Sequence, residues 1–411
     1  MLQIIRFQRT GRFVGQNKCV SLKDEEIYEA ISEILPKLGT ETSPTVLGAG
    51  SDDLESGKNY LQTLVEEGWM LPTWPREYGG RDSTAEEASQ ISRTLGLFEG
   101  ADLYPYGVGL SLVGPVLMEL GTKDQMDRWL LPIANGSEIW CQMFSEPDAG
   151  SDLANVAMTA QKDGEEWVLN GSKVWTSRGA YSKWGMCLAR TDPETTKHSG
   201  LTMFAMDMDS NGVEVRTIEQ MNGDKHFSEV FVSDVVVEDR NRIGQMGDGW
   251  KIAVKTLALE RSSLGGRSFG GGDQSNGLPS WLEDWKAKGY LDDPVPRQKA
   301  MKAFMLHRVN QLTISRAAAS GNSSGPAGSG AKLRSVLAFK FRAYLSKEFY
   351  GAEGMLINNH EHIEFLTGPS MSIRGGTDEV QRNILGERVL GLPTEHRVDK
   401  EGTYRELLKR K

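Results

Sequence analysis

Cysteine is scarce in this chain: Cys19, Cys141 and Cys187 are the only ones among 411 residues. They are odd in number and widely spaced, and no CxxC pair joins them, which argues against both a disulfide framework and a zinc site. A reducing, cytoplasmic compartment is the expectation. Histidine is scarce too; of His198, His226, His307, His360, His362 and His396 only two lie close together. They read mostly as surface residues, and no metal is expected. No apolar run approaches the roughly 18 residues a membrane span needs. No block of Lys or Arg is long enough to track a phosphate backbone, and the net charge is -9, so nucleic acid is not an expected partner.

Several common catalytic signatures are missing as well. There is no G-x-G-x-x-G after a strand, no P-loop string and no H-E-x-x-H. One G-x-S-x-G string, Gly321-Asn322-Ser323-Ser324-Gly325, follows a helical segment inside a Gly/Ser tract instead of the strand that a nucleophile elbow requires. Rossmann oxidoreductases, P-loop enzymes, zincins and α/β-hydrolases are thereby disfavoured. The stretch from Met1 to Lys18 carries Arg6, Arg9, Arg12 and Lys18 and no acid. It reads as a ragged extension over residues 1–23; read as a transit segment, it would move the protein to the mitochondrial matrix. A secretory signal is excluded, because no apolar core follows the basic residues.

What is present falls into three textures. From 24 to 138, Ile27, Ile31, Ile34 and Leu35, then Leu61, Leu64 and Val65, then Leu112, Val113, Val116, Leu117 and Leu120 recur near helical spacing. The Pro/Gly-bearing run from Gly68 to Gly80 breaks this pattern as a loop. From 139 to 240, short β-like runs surround Asp163-Gly164, Asn170-Gly171 and Asn211-Gly212, each read as a hairpin turn. With no helix between them, these runs predict an antiparallel barrel or sandwich. From 241 to 411 the helical texture returns, over Ile252 to Leu259, Met301 to Ala319 and Leu333 to Leu356. The Gly/Ser-rich stretches Gly265 to Ser280 and Ser320 to Gly330 read as loops within that last domain.

The β-like region opens on Phe144-Ser145-Glu146-Pro147-Asp148-Ala149-Gly150-Ser151-Asp152, where a Pro, a Gly, hydroxyls and carboxylates build a loop whose N–H and O–H groups can converge on a ligand. Four further runs follow the same order as the domains: Trp74-Pro75-Arg76-Glu77-Tyr78-Gly79-Gly80 earlier in the chain, then Asn170 to Trp175, Gly247-Asp248-Gly249-Trp250, and Gly375-Gly376-Thr377-Asp378-Glu379-Val380-Gln381-Arg382-Asn383. From about Asp24 to Pro393 the chain resembles the acyl-CoA dehydrogenase family of flavoproteins.

The resemblance implies an α+β multi-domain fold: an N-terminal helical domain, a middle β-domain and a C-terminal helical bundle. It implies FAD, an acyl-CoA substrate and α,β-dehydrogenation to the enoyl-CoA, with electrons passed to an electron-transfer flavoprotein. Such chemistry needs a carboxylate for the α-proton, a hydride acceptor and hydrogen bonds on the thioester carbonyl. The family pattern assigns Phe144, Ser145, Ser151, Trp175, Ser177, Thr377 and Glu379 to the flavin, with Gln298 as a looser match. Ser151, Arg261 and Gly376 fall to the acyl-CoA. The acids Glu146, Asp148 and Asp152 are expected to shape the loop.

Two departures stand out. Many members carry the catalytic Glu directly before Gly-Thr; here that place is Gly375, which cannot take a proton. Some branches set the base in a Glu-Arg pair after Gly-Asp-Gly-Trp, and Glu260-Arg261 stands there, so Glu260 is the candidate base. The usual Arg-x-x-Phe-Gly flavin contact is reduced to Arg267-Ser268-Phe269-Gly270, followed by an insertion-like segment from Trp281 to Gly289. The run Gly351-Ala352-Glu353-Gly354-Met355-Leu356 resembles branches acting on bulky acyl groups, some of which share one flavin between different subunits. A homodimer or homotetramer, a heteromer completing its FAD site with a partner chain, and an acyl-CoA oxidase all remain open.

Overall fold

The computed structural model describes residues 24–37, 53–266, 278–319, 326, 328–356, 360–395 and 402–409. The extension 1–23, the Arg267-Ser268-Phe269-Gly270 run and the Gly321 to Gly325 string lie outside the described residues.

The N-terminal part comprises α1 (Asp24–Ser32), α2 (Leu54–Glu66), α3 (Ala85–Leu95), α4 (Gly114–Leu120) and α5 (Lys123–Ala134). Local sequence sets their starts. Thr84 with Glu87, and Thr122 with Gln125, close reciprocal capping boxes that satisfy orphan N–H groups at the heads of α3 and α5. Ile27 and Ile31 of α1 pack with Leu64, Trp69, Ile91 and Phe98 in a small core of their own, while Leu61, Val113, Val116 and Leu117 join the main core. The run from Gly68 to Gly80 is irregular as expected, with a single 3-10 turn at Arg76–Tyr78.

The middle part is an eight-stranded sheet: β1 (Trp140–Met143), β2 (Thr159–Asp163), β3 (Glu166–Ser177), β4 (Trp184–Arg190), β5 (Leu201–Asp207), β6 (Val213–Ile218), β7 (Phe227–Glu238) and β8 (Arg242–Ile243). The order is β6-β7-β3-β2-β4-β5-β8, and β1 runs parallel to β4, so the sheet is not wholly antiparallel. Every residue of β4 is buried, as a strand covered on both faces should be. Trp129 of α5 meets Trp140 and Trp184 at ring distances of 5.5 Å, locking the N-terminal helices to this sheet.

Only one of the three expected hairpin turns forms a two-residue hairpin. Asp163 pairs with Glu166 across Gly164 and Glu165. Asn170-Gly171 instead lies inside β3, because the Asn170 side chain replaces a turn: its Oδ1 accepts from the Asp234 N–H and its Nδ2 donates to Asp234 Oδ1, both at 2.9 Å. Leu169 pairs with Val235 and Gly171 with Val232, so β7 carries one extra residue there, with Asp234 at φ 51°. Asn211-Gly212 precedes β6, which pairs with β7 and not with β5.

The C-terminal part holds α6 (Gly249–Gly266), α7 (Ser280–Ala287), α8 (Pro294–Ala319), α9 (Gly328–Tyr350), α10 (His360–Met371), α11 (Asp378–Arg388) and α12 (Tyr404–Lys409). Gly265 and Gly266 belong to α6, and Gly328, Ser329 and Gly330 begin α9, so glycine-rich sequence read as loop is partly helical. Packing overrides propensity here: Gly328 and Ser329 are buried. The insertion-like segment is α7, whose Leu282 and Trp285 pack with Ala300, Ala303, Leu345 and Tyr350.

Candidate active site at a three-domain junction

The loop after β1 is held by a buried ion pair. Lys173 Nζ of β3 lies 2.8 Å from Glu146 Oε1 and also donates to the carbonyls of Phe144 and Leu188. The Glu146 carboxylate accepts in turn from the N–H groups of Ala157 and Met158, at 2.7 and 3.0 Å. Asp152 pairs with Lys197 at 2.9 Å. Glu146 and Asp152 therefore shape the loop, while Asp148 is exposed. Phe144 is buried, Ser145 is half-buried with its carbonyl bonded by the Val174 N–H, and Ser151 is exposed.

Beyond Lys173, β3 bulges. Lys173 pairs with Val230 but Thr176 with Ser228, leaving an extra residue on β3 between them. Trp175 occupies that bulge at φ 59°, a left-handed conformation that bulky residues rarely take. Its indole is 57% exposed and touches Phe227 edge-on, so Trp175 is not ordinary hairpin packing. Ser177 is half-buried, and Arg178 follows, also left-handed at φ 63° and only 2% exposed.

Three parts of the chain meet around Arg178. Its guanidinium lies 3.9 Å over the ring of Tyr104, which comes from the N-terminal region. The Arg178 N–H donates to the carbonyl of His226 at 2.7 Å. His226 is buried, contrary to the surface position expected, because its ring is wedged between Phe227 and the edge of Tyr104. Burial, reinforced by Arg178 and Arg374, pushes its pKa down to about 3, so the imidazole is neutral at physiological pH. From the C-terminal side, the Asn222 Nδ2 donates to Thr367 of α10 at 3.0 Å.

Arg374 stands directly before Gly375 and feels the charge of Glu260 on α6. Burial pulls the Arg374 guanidinium below its ordinary pKa, and its neighbours Tyr104, Asp224 and Glu260 oppose that shift. Glu260, half-buried on α6, thus sits within electrostatic reach of the residue flanking the position that lacks a carboxylate. Arg374 Nε is buried without a hydrogen-bond partner among the described residues. Gly375 and Gly376 both take left-handed backbone, at φ 66° and 82°. A Cβ on Gly376 would come within 2.4 Å of Gln381 Nε2, which bonds the Gly375 carbonyl at 3.0 Å. Thr377 caps α11 through the Val380 N–H, and Lys332 anchors Asp378 at 2.9 Å.

The remaining expected residues divide. Glu379 is exposed and pairs with Arg382 at 3.3 Å. Gln298 is exposed near the start of α8, as is Arg297, whose guanidinium bonds the Leu291 carbonyl. Arg261 follows Glu260 on α6, and its side chain lies outside the described residues. Sequence reasoning missed Tyr104, Arg178, His226 and Arg374. Arg178 and Arg374 adjoin recognised motifs and could have been found there; Tyr104 and His226 had no local signal.

These features suit a flavin. An exposed indole held out by a bulge offers a flat face, the left-handed Gly375-Gly376 turn presents backbone bare of side chains, and a buried guanidinium N–H awaits an acceptor. No cluster of His, Cys, Asp or Glu among the described residues could hold a metal, and no described helix is long and apolar enough to cross a membrane.

Comparisons with known proteins agree. Family models for the acyl-CoA dehydrogenase N-terminal, middle and C-terminal domains match residues 40–137, 141–235 and 247–390. Acyl-CoA dehydrogenase IpdE1 of Mycobacterium tuberculosis is 34% identical over 360 residues, covering 85% of this chain and 91% of its own length. Acyl-CoA dehydrogenase FadE34 of the same organism is 34% identical over 336 residues, 80% of this chain but 45% of its own length. Among solved structures, the Tcur3481-Tcur3483 steroid ACAD shares the fold at a TM-score of 0.72 and 23% identity, over 90% of this chain and 97% of that one. The ChsE4-ChsE5 complex from Mycobacterium tuberculosis matches at a TM-score of 0.67 and 26% identity, over 83% of this chain and 92% of that one. The chain belongs to the acyl-CoA dehydrogenase family, FAD-dependent oxidoreductases that act on the CH–CH bond of acyl-CoA thioesters.

Proposed function

We propose that this chain dehydrogenates a bulky, polycyclic acyl-CoA to its trans-2-enoyl-CoA, with Glu260 as the base and an electron-transfer flavoprotein as electron acceptor. The assignment is carried by sequence position, Glu260 in the Glu-Arg pair after Gly-Asp-Gly-Trp and Gly375 where a carboxylate is missing, together with the pull of the Glu260 charge on the Arg374 guanidinium. In this reading the Glu260 carboxylate accepts the α-proton, a role that needs a carboxylate in a partly desolvated site. Gly376, bare of a side chain and left-handed, is assigned to the thioester at the turn before α11, and Thr377 holds that turn. Phe144, Ser145, Ser151, Trp175, Ser177, Thr377 and Glu379 would hold FAD, which when bound accepts the hydride leaving the β-carbon. Arg261 and Ser151 are assigned to the CoA thioester.

The bulky acyl group is supported by Gly375, a glycine where the family pattern places a Glu, and by the steroid enzyme among the structural neighbours. A second, non-identical chain of the same fold is the favoured partner. Two structural neighbours are described as pairs of different chains, and FadE34 is about twice the length matched. Gln298, exposed on α8, is then available to a flavin held by such a partner. The free, buried Cys141 and Cys187 suit a reducing cytoplasm.

Purified protein tests this directly. Yellow protein bleached under argon by polycyclic acyl-CoAs, more readily than by straight-chain ones, supports the reading. Colourless protein that turns yellow only with a second chain supports the heteromer. Peroxide produced in air at the rate of turnover would make the protein an oxidase instead.

A further inference from the structure

The last described helix does not stay with the C-terminal bundle. Thr403 and Glu406 close a capping box at its head, and the N–H groups of Tyr404 and Arg405 donate to the carbonyls of Thr195 and Pro193, at 2.8 and 3.0 Å. Two orphan donors of a C-terminal helix are therefore satisfied by a loop of the middle domain. Tyr404 is the buried residue of α12. Its ring lies 3.5 Å under the Arg190 guanidinium, and its hydroxyl donates to the Asn155 carbonyl at 3.3 Å.

Arg190 is itself buried and holds backbone. Its Nε donates to the Val156 carbonyl at 3.0 Å, and its two terminal nitrogens to Ala154 and Lys197, at 2.8 and 3.2 Å. Lys197 in turn pairs with Asp152. The segment just after Ser151 is thus gripped at three successive carbonyls, two by Arg190 and one by Tyr404.

We propose that α12 is a strap across the ligand-binding loop, with Tyr404 as a positioning residue that seals Arg190 from water and so fixes the backbone from Ser151 to Val156. Against water, Arg190 would exchange its carbonyl partners for solvent; beneath an aromatic face that competition is removed. The benefit to cofactor binding rests on the assignment of Ser151 to the flavin and CoA site, but the strap itself does not.

Hydrogen exchange on the full chain tests it. Tyr404→Ala should speed exchange of the Ala154 to Met158 amides by about tenfold or more, leaving β4 and β5 unchanged. Tyr404→Phe, which keeps the ring on Arg190 but loses the bond to the Asn155 carbonyl, should speed exchange much less than Tyr404→Ala. Arg405→Ala removes only the exposed pair with Glu194 and should do nothing measurable. Unchanged exchange in Tyr404→Ala, or general acceleration throughout the sheet, overturns the strap. FAD titration of the apoprotein separates the two ideas: an affinity about tenfold weaker in Tyr404→Ala alone supports the link to the site. If wild type binds no FAD either alone or with a second chain, the assignment of these residues to the flavin fails while the exchange result still decides the strap.

Discussion

Lys173 and Glu146 form an ion pair at 2.8 Å with the lysine side chain wholly buried, and this pair joins β3 to the loop that opens the β-domain. Removing one partner strands the other charge in the interior. Glu146→Ala should therefore destabilise the fold by about 3–5 kcal/mol, read as a lowered denaturation midpoint. Glu146→Gln, which retains an acceptor for the Ala157 or Met158 N–H, should cost less. Equal stability of Glu146→Ala and wild type would mean the pair does not organise the loop.

Trp175 makes the opposite prediction. An exposed indole on a strained bulge contributes little packing, so Trp175→Ala should change unfolding free energy by no more than about 1 kcal/mol. FAD affinity should nonetheless fall. A variant that unfolds readily yet still binds flavin normally would assign Trp175 to packing.

His226 carries a pH signature. Its folded pKa of about 3 lies below the ordinary 6.5, so between those values the unfolded chain binds a proton that the folded chain refuses. The neutral ring's contribution is intact above 6.5 and is lost progressively as pH falls toward 3. Denaturation of wild type and His226→Gln should show wild type losing stability relative to the variant over that window. Parallel pH curves would contradict a buried, neutral His226.

Gly376→Ala should also be costly. The residue sits at φ 82°, and the new Cβ would displace the Gln381 amide that bonds the Gly375 carbonyl. A loss of about 1 kcal/mol or more is expected, together with weakened acyl-CoA binding in bleaching titrations.

The helix, sheet, helix order was legible because hydrophobic spacing changes period along the chain, and of the three loop acids Glu146 and Asp152 are tied into the loop while Asp148 is exposed. The junction was not legible. Tyr104, Arg178, His226 and Arg374 converge only through tertiary packing, and His226 looks like any isolated histidine until Phe227 and Tyr104 close over it. Asn170-Gly171 misled for a similar reason: a side chain pairing with Asp234, far along the chain, turned a hairpin signal into a strand interior. The docking of α12 depends on the carbonyls of Thr195 and Pro193, which no pattern at the C-terminus announces.

The proton chemistry assigned to Glu260 is tested most directly by Glu260→Gln, compared with wild type in the same flavin-loaded assembly. The account predicts retained yellow colour and near-native stability, with acyl-CoA bleaching slowed at least about a hundredfold. Bleaching at the wild-type rate would place the base elsewhere.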